Sequence, residues 1–91
     1  MENLRLKNTI LTESAGLLED VRNVVMRMRT YEEKIEWRRV AKRLYETFPL
    51  IIYTIDVVYP FQDRDLQAVK RRLLRSKINL EVCFGEILND F

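Results

Sequence analysis

Apolar side chains recur along this chain at three- and four-residue steps. Between residues 2 and 29 they fall at Leu4, Leu11, Leu18, Val21, Val25 and Met28, with Leu17 and Val24 widening the stripe. That spacing is one face of an amphipathic helix. A second stripe follows at Trp37, Val40, Ala41, Leu44, Phe48, Ile51, Ile55 and Val58. At 100° per residue these positions lie within about 100° of one another, and the phase survives Pro49. A third stripe runs through Leu66, Val69, Leu73, Leu80, Phe84 and Ile87, with Ile78 and Leu88 at its edges.

The pattern predicts helices over 2–29, 31–59 and 63–90. The run T-Y-E-E at Thr30 fits a capping box completed by Glu33, and Asp63 or Asp65 is placed to cap the third helix. Pro49 removes one backbone donor, so a bend is predicted there, at the carbonyl of Tyr45. Three rods, each roughly 42 Å long, joined by short corners favour an all-α, antiparallel up-down helical bundle. It becomes four helices if Pro49 breaks the middle one. Ile51, Tyr53, Ile55, Val57 and Tyr59 also alternate as a strand would, but no other stretch offers such a strand a partner.

Folding the rods about their corners sets Ser14, Ala15 and Gly16 against the level of Leu44 and Phe48, and Cys83 and Gly85 against Trp37. Small residues opposite large ones would give the two mid-helix glycines a packing role. Cys83 reads as a buried structural thiol.

Composition narrows the function. Ninety-one residues make one domain, 1–91, and the two glycines and two prolines suit a bundle. A net charge of +2 is too near balance to imply nucleic acid by itself. The chain holds no His, which removes the commonest general base and metal ligand, and a single Cys excludes an internal disulfide. No carboxylate is placed to pair with Asp56, and no phosphate-binding glycine loop or metal motif appears. The expectation is a protein that is not an enzyme and carries neither cofactor nor metal. The opening residues carry no signal-peptide core, and the apolar run ending at Pro60 is too short for a transmembrane span.

Two surfaces stand out. Leu50, Tyr53 and Val57 lie opposite the middle helix's core stripe, beside Asp56, and form an apolar patch of the kind that marks a protein contact or self-association. Arg71, Arg72 and Arg75, in the least neutralised stretch KRRLLRSK, are the charge partners predicted for it. The alternative is a small regulator that binds nucleic acid or an acidic protein through Arg38, Arg39, Lys42, Arg43 and Lys70. Peripheral contact with lipid headgroups belongs to the same basic chemistry. Several of these cations have acids three or four residues away, Glu36 with Arg39, Glu46 with Lys42 and Glu81 with Lys77, which is the pattern of a solvated helix face.

One resemblance follows from particular residues. Trp37, Val40 and Leu44 opening a helix, then Tyr53 and Val58, the stretch QDRDLQAVKRRLLRSKINL with Leu66, Leu73 and Ile78, and ESAGLLEDVRNVV together resemble the PsbQ-like extrinsic photosynthetic subunits. The likeness covers about 65 residues, and the chain ends where that family's fourth helix would begin. It implies a non-catalytic subunit docked on the lumenal side of a photosynthetic membrane complex, hence a thylakoid-lumen location. Without it the expected compartment is the cytoplasm.

Overall fold

The computed structural model describes residues 2–29, 34–58 and 63–88, with side-chain surroundings for 4–27, 38–57 and 63–85. Among the described residues all but Asp63 are helical. Helix α1 spans Glu2–Arg29, α2 spans Lys34–Tyr53, a π-helical segment covers Thr54–Val58, and α3 spans Arg64–Leu88. All three helices pack on one another in a bundle 45 × 22 × 17 Å. The capping box at Thr30 and Glu33 and the corner near residue 61 lie outside the described residues, as does the side chain of Trp37.

Polar pairs fix the directions of the helices. Lys7, near the start of α1, reaches Asp63 at 2.8 Å and Asp65 at 3.0 Å at the start of α3, so α1 and α3 run parallel. Tyr45 donates its hydroxyl to Glu81 Oε1 at 2.7 Å, and Lys70 meets Asp56 at 2.6 Å, so α2 runs antiparallel to α3. The order is up, down, up. In that register Tyr53 lies level with Leu73, and Leu50 with Ser76. The pairing of Lys77 with Glu81 expected from spacing is replaced: Glu81 serves Tyr45, and the Lys77 ammonium sits 5.5 Å from the Tyr45 ring centroid. The hydrogen bond to Glu81 raises the Tyr45 phenol above its ordinary pKa, with burial acting the same way.

The core is made of Ile10, Leu17, Val21, Val24 and Val25 from α1. Ala41, Phe48, Ile51 and Ile55 join them from the middle rod, and Leu66, Leu73, Leu80 and Phe84 from α3. In the second and third stripes every described position is buried or half-buried against this set, save Ile78 at the edge of the third, which is exposed. The first is rotated. Leu4 is exposed and Leu11 and Leu18 are only half-buried, because the buried line of α1 passes through Ile10, Ser14, Leu17, Val21 and Val24. Ser14 on that line masked its direction in the sequence. It is fully enclosed, and its hydroxyl finds no hydrogen-bond partner among the described residues.

The packing role expected for Gly16 is not what the structure shows, and the expected contact of Gly85 with Trp37 lies outside the described residues. Gly16 is exposed, Gly85 is half-buried, and a Cβ built at either meets nothing within 4 Å. Cys83 is half-buried against the core and unbonded.

Pro49 does not break the middle rod. The α-helix continues through it to Tyr53, and the departure from α geometry comes just beyond, in the π-helical turn. A π turn accommodates an extra residue per turn, and such turns recur at functional sites. Here it keeps Ile55 buried while Asp56 turns toward α3 and Val57 toward solvent. The Thr54 hydroxyl donates to the Leu50 carbonyl at 2.8 Å, which satisfies a backbone acceptor where the ladder changes pitch. In α3, Phe84 adopts φ −127°, ψ 16°, so the helix is two runs joined at that residue.

Asp63 caps α3. Its Oδ1 accepts from the N–H of Asp65 at 2.8 Å and of Leu66 at 3.2 Å, and its carbonyl accepts from Gln67 at 2.9 Å. Its other carboxylate oxygen holds Lys7, so one side chain both starts α3 and ties it to α1. The Lys7 hydrogen bond, aided by those backbone donors, holds the Asp63 carboxyl below its usual range, and Asp63 in turn raises the Lys7 ammonium, with Asp65 adding to it.

Candidate functional site

The outer face shared by α2 and α3 departs most from an ordinary solvated bundle. Leu50, Tyr53 and Val57 are 69%, 60% and 55% exposed. Their wetness follows from helical phase: when Phe48, Ile51 and Ile55 face the core, positions three and six residues before Asp56 must face away. Sequence reasoning placed these three. It missed the other half of the face, which comes from α3: Leu74, Ile78 and Val82 are exposed as well. With Lys70 they form one four-residue ridge. The signal was present in the spacing, but Ile78 was read as the edge of the core stripe.

The two ridges meet at the Asp56–Lys70 pair. From there Asp56, Tyr53 and Leu50 ascend α2 while Lys70, Leu74 and Ile78 ascend α3, with exposed Pro49 on the α2 side. The result is a V-shaped apolar face pinned at one end by an ion pair. Exposed apolar side chains along two neighbouring ridges are not explained by packing among the described residues.

Asp56 points away from the core as expected, but its partner is Lys70 of its own chain and not a residue supplied from outside. For the same reason Lys70 is not a free phosphate contact. Arg71 is exposed beside the apolar ridge of α3. Arg72 and Arg75 instead line an open groove of about 520 Å³ between α3 and α1, together with Arg22, Ser76, Asn79, Leu18 and Val21. Arg22 was not singled out in the sequence, because only the parallel packing of α1 on α3 brings it to them.

The α2 cations sit elsewhere. Arg38, Arg39 and Arg43 are exposed and Lys42 is half-buried. In the α2–α3 register Arg43 is level with Cys83, roughly 18 Å along the axis from Arg71 at 1.5 Å per residue. The two basic clusters therefore do not merge into one patch.

Among the described residues no group of three or more His, Cys, Asp or Glu is placed to hold a metal ion. No described helix is long and apolar enough to cross a membrane. No known family model, curated protein or solved structure matches this chain.

Proposed function

We propose that this bundle is a non-catalytic docking subunit of a larger protein assembly. Its contact surface is the V-shaped face of Leu50, Tyr53 and Val57 with Leu74 and Ile78. The observation that carries the reading is that α2, its π turn and α3 all expose large apolar side chains, on two ridges that start from the Asp56–Lys70 pair. Tyr53 suits such a contact, since it offers a large exposed apolar body and a hydroxyl with no partner among the described residues. Arg71 beside the ridge favours a companion with carboxylates at the rim of its own apolar patch.

A peripheral subunit on the lumenal side of a photosynthetic complex is one form of this proposal. What supports it is the run of residues from Trp37 to Leu80 quoted above. The competing reading, a nucleic-acid binder working through Arg38, Arg39 and Arg43, is separated from docking by salt. Raising salt from about 50 to about 200 mM weakens a contact made to many phosphates by orders of magnitude, whereas apolar docking keeps most of its affinity.

A further inference from the structure

The groove between α1 and α3 has a chemistry of its own. Arg22 supplies one wall and Arg72 and Arg75 the other, and among the described residues none of the three has an ion-pair partner. The chain does pair cations when they cross between helices: Lys7 has two carboxylates and Lys70 has one. All three arginines line the groove, and no Asp or Glu is among the described residues that line it. Glu19 and Asp20, the neighbours of groove residues Leu18 and Val21, are exposed and outside it.

The wall on α3 is a continuous stripe of donors. Arg72, Arg75, Ser76 and Asn79 follow three- and four-residue spacing, so two guanidiniums, a hydroxyl and an amide point along one side. Leu18 and Val21 add apolar side chains to the lining. Guanidinium forks match phosphate oxygens two at a time. A space of about 520 Å³ exceeds what one phosphate fills and falls within the range for small ligands.

We propose that this groove binds a small compound carrying two or more phosphates, held between Arg22 on α1 and Arg72 and Arg75 on α3. The phosphates belong either to a soluble metabolite or to the headgroup of a lipid. Occupation would relieve the repulsion among the three cations and brace α1 against α3.

Inorganic tripolyphosphate titrated calorimetrically into the whole chain at low salt is the test. Saturable one-to-one binding is expected. Arg22→Gln with Arg75→Gln weakens it by roughly a hundredfold, at about tenfold per charge-assisted contact, and Arg72→Gln alone by about tenfold. The same charge removed at exposed Arg38 and Arg39 changes it by less than about threefold. Tyr53→Asp leaves it unchanged, which separates this site from the docking face. Absence of saturable binding, or equal weakening by the Arg38/Arg39 pair, overturns the proposal. Phosphatidylcholine vesicles with and without a bisphosphorylated inositol lipid then assign the source: Arg22-dependent capture by the phosphorylated vesicles identifies a headgroup, and its absence with tripolyphosphate still bound identifies a soluble ligand.

Discussion

Lys70 Nζ and Asp56 Oδ1 meet at 2.6 Å across the seam of α2 and α3, where the π turn gives way to the apolar face. The two side chains remain 27% and 41% exposed, so the pair is screened by water and its worth is that of a surface ion pair. A double-mutant cycle with Asp56→Asn and Lys70→Gln should give a coupling of about 0.5 kcal/mol that shrinks with added salt. Its larger service is alignment, holding the π turn against α3. A coupling that salt does not touch would mean the pair is effectively buried.

Gly16 is exposed in the middle of α1, and an added methyl meets no atom. Gly16→Ala is therefore predicted to stabilise the bundle by about 1 kcal/mol, raising Tm by roughly 4–8 °C. A loss of stability in thermal unfolding would show that some close approach at Gly16 had been overlooked.

Ser14 buries a hydroxyl that bonds to nothing among the described groups. Ser14→Ala removes the desolvated oxygen and keeps the Cβ, so chemical denaturation should show a gain of about 1 kcal/mol. Destabilisation of that size would mean the oxygen has a partner after all.

Acid should loosen the clamp at the bundle's end. Asp63 has a folded pKa below its ordinary value, so its contribution is complete above about pH 4, the unfolded value, and disappears as pH falls through the folded one. Asp63→Asn keeps an N-cap but drops the charge that holds Lys7. Between about pH 6 and about pH 3 the variant should lose less stability than the wild type in urea titrations. Equal losses would place the acid sensitivity elsewhere.

The helices and most of the second and third core stripes were legible because they rest on local periodicity, and the cap of α3 was narrowed by local chemistry to Asp63 or Asp65, between which only the folded geometry chose. What escaped depended on packing. The π turn answers to Ile55 staying buried while Asp56 reaches Lys70, a compromise between helices that spacing alone does not reveal. The tilt of α1's buried line was hidden by a polar residue on it, Ser14. Arg22 joins Arg72 and Arg75 only after α1 and α3 lie parallel, and Asp56 looked available only until Lys70 was seen beside it. Of the exposed apolar residues, Leu50, Tyr53 and Val57 follow from helical phase, whereas Ile78 sits at the edge of the core stripe by spacing and Leu74 is not marked by it.

The central claim is that the face around Tyr53 holds a companion protein, and capture from the native source with wild-type and Tyr53→Asp chains tests it most directly. Because Tyr53 is exposed, the variant should fold normally, so circular dichroism provides the control. Wild-type protein is expected to retain a companion at about 200 mM salt that Tyr53→Asp releases. A companion held equally well by both chains would contradict it.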